Sequence, residues 1–376
     1  MGARRWLGMT AASAVALGVA ARAGAETVVD PIARLTLEGG YDSNALYDGS
    51  GADQMQRISP EVGLRVHDEL WDWKGSYRGD WLRYDRFAPD GIWQHAGSLS
   101  LDATPTRRLA LKGSIKGSYA FDPIGLAMLG IFHTGRESAL LVNGDGRAEY
   151  RVAPRVDLAA TLFERTVRFD DGSGGAMHQP GVEALYRTTE RLSIGAAYAF
   201  GVFQSFFPDH ANELAFSNAV RARARWRATR HVTVEAAAGP AAWRGPTGVA
   251  LVPEARLETF AATHEYGLRL TAAHGLGIGS TAQPALLDAL EFGVDRHFGR
   301  KWLVHADGGV WRSGMAPSGG LAVTGWGVNG EAGMLVAQGW RLSLAGSHFG
   351  RLDSTDPALS RTTVGIRLAW ELGGRR

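Results

Sequence analysis

The feature that most constrains this chain is a repeated alternation of apolar and polar residues. In the segment 107–121, RRLALKGSIKGSYAF, Leu109, Leu111 and Ile115 fall on odd positions, whereas Lys112 and Lys116 fall on even ones. A period of two puts these two sets on opposite faces of a β-strand. A strand of about 13 residues is long for a soluble sheet, but it is long enough to cross a bilayer when tilted.

The same module recurs along the chain. Short turns that contain arginine lead into six alternating segments, mostly at intervals of about 36–47 residues. Hairpins repeated at this period indicate either propeller blades or a barrel, and a blade would need four short strands where each repeat here has two long ones. The alternation predicts eighteen strands, at roughly 32–41, 57–67, 71–84, 92–102, 109–121, 138–152, 156–169, 178–187, 192–204, 214–227, 231–244, 251–261, 264–276, 286–296, 302–313, 324–337, 340–352 and 361–372.

The links between the predicted strands supply a second observation. They run about 5–15 residues after odd strands and about 2–5 residues after even strands. This rhythm is typical of outer-membrane barrels, which have short periplasmic turns and longer extracellular loops. The sequence therefore predicts an all-β fold, a transmembrane antiparallel β-barrel of about 18 strands, as a single domain over residues 26–376. Loops this short leave little material for a plug.

The first 25 residues predict a cleaved signal peptide. Arg4 and Arg5 precede an apolar stretch at 7–20, and Ala23-Gly24-Ala25 matches a cleavage site. Without this segment the chain has 37 basic and 38 acidic residues, which gives no reason to expect nucleic acid as a partner. The absence of cysteine excludes disulfides and thiolate metal sites. We expect a protein of the cell outer membrane that contacts outer-membrane lipid and the barrel assembly machinery.

Four arginines on one face of a predicted strand are the sharpest chemical feature. Each would cost about 2–4 kcal/mol near the lipid midplane, so this face is expected to line the lumen. The ladder consists of Arg221, Arg223, Arg225 and Arg227. The same alternation turns further cations inward: Lys112, Lys116, Arg147, Arg151, Arg165, Arg269 and Arg367.

These cations have two interpretations. They could form an electropositive pore that favours anionic solutes or an acidic polymer. Alternatively, inward carboxylates such as Glu235, Glu254 and Glu258 could pair with them and hold the wall together. The preceding strand offers only small inward residues, among them Gly195 and Ala197, so nothing on that side is expected to neutralise the ladder.

Inward aromatic residues are candidates for stacking on sugar rings, whose C–H edges are apolar. The alternative is that they pack under a loop. The candidates are Phe203, Trp243, Trp311 and Phe349.

No constellation of residues predicts catalysis. His95 and Ser98 lie on opposite faces of one predicted strand, and His305 and Asp307 share a face without a serine near them. No spacing indicates a metal site and no motif indicates a cofactor. We expect that the protein is not an enzyme.

The opening of the predicted barrel carries a family resemblance. In TLEGGYDSNALYDGSGA, the residues Tyr41, Asp42 and Asn44 resemble a Tyr-Asp-x-Asn motif that follows the first strand in a group of putative outer-membrane β-barrel porins. Eighteen strands around an arginine-rich lumen also resemble barrels that secrete polysaccharide, such as the alginate exporter. The resemblance implies a passive conduit, in its sharper form for export of a polysaccharide that is possibly anionic, and the alternative is a general diffusion porin for small solutes.

Export would involve a periplasmic polysaccharide-export protein as a partner. The basic residues in the short turns have two interpretations, a docking surface for this partner or side chains that extend to lipid headgroups. They are Arg107, Arg108, Arg155, Arg191, Arg230, Arg300 and Lys301. The sequence does not predict an oligomeric state.

Overall fold

The chain folds into one antiparallel sheet of eighteen strands. The computed structural model describes residues 27–45, 51–120, 138–209, 211–246, 248–279, 282–299, 301–316, 322–352 and 360–372. The predicted signal peptide lies outside these residues. The strands are β1 (Val28–Asp42), β2 (Asp53–His67), β3 (Trp71–Tyr84), β4 (Ala88–Thr106), β5 (Leu109–Ala120), β6 (Ala139–Ala153), β7 (Val156–Phe169), β8 (Gly174–Arg187), β9 (Leu192–Phe206), β10 (Glu213–Arg227), β11 (Val232–Gly245), β12 (Gly248–Ala262), β13 (Tyr266–Ile278), β14 (Pro284–Phe298), β15 (Trp302–Met315), β16 (Val323–Ala337), β17 (Trp340–Arg351) and β18 (Ser360–Glu371).

Pairing of the first strand with the last closes the sheet into a barrel. Each strand pairs with its neighbours in the chain, and β1 also pairs with β18, from Arg34 opposite Glu371 to Asp42 opposite Thr363. Closure pairs the two edge strands with each other from Arg34 to Asp42, as a β-structure in lipid requires. The predicted barrel and its eighteen strands are confirmed, with strand ends within about four residues of the prediction. Among the described residues there is no helix with the length and hydropathy to cross a membrane.

Three outer links are shorter than the sequence predicts. They are residues 85–87, residues 170–173 and the link between Gly245 and Gly248. The strand after each link begins three or four residues earlier than predicted, so that Gly174, for example, pairs with Arg168. Residues expected in loops join the ladder instead, because paired backbone groups are more stable than unpaired ones.

The two faces of the barrel wall differ in chemistry. Outward positions hold apolar side chains that the barrel itself leaves uncovered; Val220 is 56%, Leu251 74% and Ile366 60% exposed. Inward positions hold ion pairs, such as Arg221 with Glu254. An apolar exterior around a polar interior is the arrangement of an outer-membrane barrel, and the protein therefore lies in the outer membrane.

A buried polar cluster joins the ends of the sheet at the outer rim. The Arg361 guanidinium donates from Nε to Asp42 Oδ1 at 2.8 Å and from Nη2 to Asp42 Oδ2 at 2.5 Å. The Tyr84 hydroxyl donates to Asp42 Oδ2 at 2.9 Å. All three residues are at most 1% exposed. We call Asp42, Tyr84 and Arg361 the seam cluster, because they link β1, β3 and β18.

The Tyr-Asp-x-Asn motif contributes to this seam. Asn44 is 3% exposed and donates from Nδ2 to the Ser360 carbonyl at 3.0 Å. Tyr41 instead lies on the outward face of β1 and is 49% exposed. In this structure, therefore, Asp42 and Asn44 serve barrel closure.

Candidate functional site

The candidate site is the lumen, and the arginine ladder of β10 faces it. Arg221, Arg223 and Arg225 alternate with the outward Val220 and Trp226, which are 56% and 50% exposed. Arg227 shares the ladder's face by the same alternation. The structure therefore brings the predicted ladder together on the inner wall.

Three arginines and three glutamates form a closed cycle of ion pairs, which we call the charge ring. Each glutamate lies between two arginines. Arg223 contacts Glu183, and the five other N–O separations around the cycle are 2.6–3.8 Å. In cyclic order the members are Arg147, Glu183, Arg223, Glu235, Arg225 and Glu149.

The charge ring exists because the intervening strands carry small inward side chains. Its members come from β6, β8, β10 and β11, and β9 separates β8 from β10. On β9, Gly195 is opposite Arg223 and Ala197 is opposite Arg221. The expectation that these small residues leave the ladder unneutralised is therefore wrong. They leave room for Glu183 to reach across β9 to Arg223.

Most of the other predicted lumen cations also have a carboxylate partner. These contacts fit the interpretation that carboxylates pair with the cations and hold the wall together. A role of the cations in solute selectivity stays a prediction. The nitrogen–oxygen separations are 2.5 Å for Arg221–Glu254, 3.1 Å for Arg151–Asp157, 3.1 Å for Arg269–Glu258, 3.0 Å for Arg367–Glu38 and 3.1 Å for Lys112–Asp102. Lys116 lies on the inward face of β5 together with Lys112.

The inward aromatic side chains are packed rather than presented to solutes. Phe203 is 0%, Trp243 2%, Trp311 5% and Phe349 3% exposed. The rings of Phe203 and Trp243 meet edge to face, with centroids 5.2 Å apart. Sugar stacking needs an open ring face, so the structure contradicts the stacking prediction and agrees with the packing alternative.

An apolar cluster occupies part of the outer end of the lumen. We call it the outer cluster, and its buried members come from the outer ends of β6 to β13 and from the links that follow β13 and β15. They are Ala139, Val167, Phe169, Met177, Phe203, Ala215, Trp243, Val252, Ile278, Ala282 and Ala316.

Two described residues of the link between β13 and β14, Ala282 and Gln283, make contacts at the outer end of the lumen. Ala282 is 0% exposed, and Gln283 Nε2 donates to the Gly174 carbonyl at 3.1 Å. Gly175 permits this approach, because a Cβ there would lie 2.1 Å from the Ala282 carbonyl oxygen. Described residues of this link therefore take part in the packing at the outer end of the lumen.

A polar cavity of about 420 Å³ lies in the other part of the lumen. Its lining comes from β1–β6 and β15–β18, and includes Glu38, Arg57, Arg78, Gln94 and Glu331. The sequence analysis missed these five residues. Their inward parity was visible, but single charged or amide residues on separate strands give no local signal that they share a cavity.

The histidine considered for catalysis is held in ion pairs. His305 Nδ1 lies 2.7 Å from Asp295 Oδ1, and its Nε2 lies 2.8 Å from Asp307 Oδ1. Both ring nitrogens are thus engaged by carboxylates, which leaves neither to activate a nucleophile. His305 therefore bridges Asp295 and Asp307 within the barrel wall.

Replacing Glu183 by glutamine should separate the two interpretations of the ladder. Arg147 and Arg223, with side chains 23% and 20% exposed, would lose the carboxylate that they share. We expect the free energy of unfolding, measured with urea in detergent micelles, to fall by about 1–3 kcal/mol, as for a lost hydrogen bond to a charged group. Glu190→Gln in the exposed turn between β8 and β9 is the control, with an expected change within about 0.5 kcal/mol. An altered reversal potential at unchanged stability would favour the selectivity interpretation.

Comparisons with known proteins place this chain only by its shape. No protein-family model and no curated protein matches the sequence. Among solved structures it is similar to the outer membrane protein OpdK of Pseudomonas aeruginosa, with 11% identity, coverage of 91% of this chain and 99% of that chain, and a TM-score of 0.43. For OccK5 (OpdH) of the same organism these values are 9%, 92%, 99% and 0.41, and for Acinetobacter baumannii OccAB3 they are 8%, 91%, 100% and 0.42.

Similarity at this level carries no argument about what the chain conducts, and its architecture is established by its own strand pairing. None of these comparisons supports the resemblance to polysaccharide-export barrels or the family assignment from Tyr41, Asp42 and Asn44.

Proposed function

We propose that this protein is an outer-membrane channel through which small solutes diffuse passively. The observation that carries the proposal is a closed wall around a polar lumen with a cavity of about 420 Å³. Barrels of 16–18 strands enclose an aqueous channel, and a cavity of this size is in the range of small-molecule sites. The outer cluster narrows the mouth, which favours small solutes over a polymer.

Polysaccharide export receives less support from the same features. The aromatic residues that would stack on sugars are buried, and the ladder that would attract an acidic polymer is engaged in ion pairs. The general diffusion porin is therefore the better interpretation. Docking of a periplasmic export protein on the basic turns depends on export and is not part of this proposal.

The purified full-length protein should conduct in planar lipid bilayers. We expect discrete conductance steps, together with swelling of protein-containing liposomes in sugars that slows as the sugar becomes larger. Heat-modifiable migration on gels provides the control that the barrel is folded. A folded, heat-modifiable protein without conductance or swelling would contradict the channel proposal.

A further inference from the structure

The lumen has two unlike halves. The half bounded by β6–β14 holds the charge ring and most of the outer cluster, whereas the half bounded by β1–β5 and β15–β18 holds the polar cavity. We propose that solutes pass through the second half and that the cavity is a binding site for small zwitterions. This inference rests on the proposed channel function and deepens it by naming a path and a class of solute.

Contacts across the lumen obstruct the first half at its outer end. Strand β8 contacts β13, and β9 contacts β14, although neither pair is adjacent in the sheet. The bond from Gln283 to the Gly174 carbonyl spans the same gap. Ala139 and Leu141 belong both to this apolar region and to the lining of the cavity, so they form the boundary between the halves. At the outer end, the described residues of the first half thus form packed apolar surface, whereas those of the second half line a cavity with polar side chains.

The charges around the cavity alternate in sign. Arg367 lies 3.0 Å from Glu38 and 2.9 Å from Glu331, and Arg57 lies 3.7 Å from Glu38. A solute with one charge is attracted by half of these groups and repelled by the others. A zwitterion can bring each of its charges next to a group of the opposite sign, as complementary surfaces do in specific complexes.

A buried amide supplies a specific contact. Gln94 lines the cavity and is 5% exposed, and its Nε2 has no hydrogen-bond partner in the part of the chain that the structure describes. Buried polar groups are nearly always paired, so an unsatisfied donor here fits a ligand oxygen. Beside it, Arg78 Nε lies 3.1 Å from Asp80 Oδ1, which leaves its terminal nitrogens as further donors. A carboxylate end of a zwitterion matches this side of the cavity.

The test compares three solutes of similar size that keep their charge at every working pH. Glycine betaine is the zwitterion, methanesulfonate the anion and tetramethylammonium the cation. Uptake of each is measured in liposomes that contain the full-length protein. We expect glycine betaine to enter fastest, and Gln94→Leu to slow it about two- to tenfold, the factor that one net hydrogen bond confers. Gln179→Leu, an inward residue of β8 in the obstructed half, is the matched control and should leave uptake unchanged.

Each outcome decides the inference. Equal uptake of the three solutes, no effect of Gln94→Leu, or equal loss in both leucine variants would overturn the site while leaving the channel proposal intact. A wild-type protein that is folded but passes no solute and no current would overturn the channel proposal and the site with it.

Discussion

Replacing Arg361 by methionine is expected to lower the free energy of unfolding by about 3–5 kcal/mol, the usual loss when one partner of a buried ion pair is removed. Asp42 is 0% exposed and would lose the guanidinium that now contacts both of its oxygens. The seam between β1 and β18 would open first, because this cluster lies where those strands meet. Urea unfolding in micelles and heat-modifiable migration both measure the effect.

Arg65→Met is the matched control. Arg65 makes the same bidentate contact with Asp72, from Nε to Oδ1 at 2.8 Å and from Nη2 to Oδ2 at 2.6 Å. Its side chain, however, is 46% exposed. An exposed pair contributes about 0–1 kcal/mol, so the control should stay close to wild type. Asp42→Asn combined with Arg361→Met should be less damaging than Arg361→Met alone, since no buried charge is left unpaired. Equal losses of unfolding free energy in Arg361→Met and Arg65→Met would show that burial of the seam cluster does not increase its contribution to stability.

Phe203→Ala is expected to enlarge the outer mouth and raise the single-channel conductance. The Phe203 side chain is 0% exposed and packs against Trp243 at the centre of the outer cluster. Truncating a buried phenylalanine costs about 3–5 kcal/mol, so the variant should also unfold at lower urea. Recordings in planar bilayers, on protein shown to be folded by its gel migration, measure the change.

Phe260→Ala provides the comparison for this experiment. Phe260 also lies on the inward face, opposite Arg269, but it is 50% exposed. Its truncation should change neither conductance nor stability appreciably. If Phe203→Ala folds and its conductance equals that of wild type, the outer cluster does not limit flow.

The strands were predictable from the sequence because their signal is local. Two faces alternate within each segment, as Leu109 and Lys112 do in β5, and one residue of shift would turn every side chain to the wrong side. Strand ends were less predictable. Gly174 and its neighbours resemble a loop in composition, yet pairing with β7 extends β8 to include them.

The arrangement inside the lumen was predictable only in part. The alternation identified which face Arg223 occupies, but not that Glu183 contacts it across β9, because a contact between strands two apart leaves no pattern within either strand. Gln94 gave no signal at all, since one inward amide is ordinary in any barrel strand. The pairing of Asp42 with Arg361 joins residues at opposite ends of the chain, and no pattern within either strand indicates it.

That separation in the chain has a consequence for how the barrel is made. Asp42 precedes Arg361 by 319 positions. During synthesis, Asp42 is therefore added to the chain long before Arg361. A chain that stops short of β18 carries an acidic group at the outer rim with nothing to neutralise it, and such a group opposes burial. The contribution of the seam cluster to the stability of β1 is therefore made only when β18 is present.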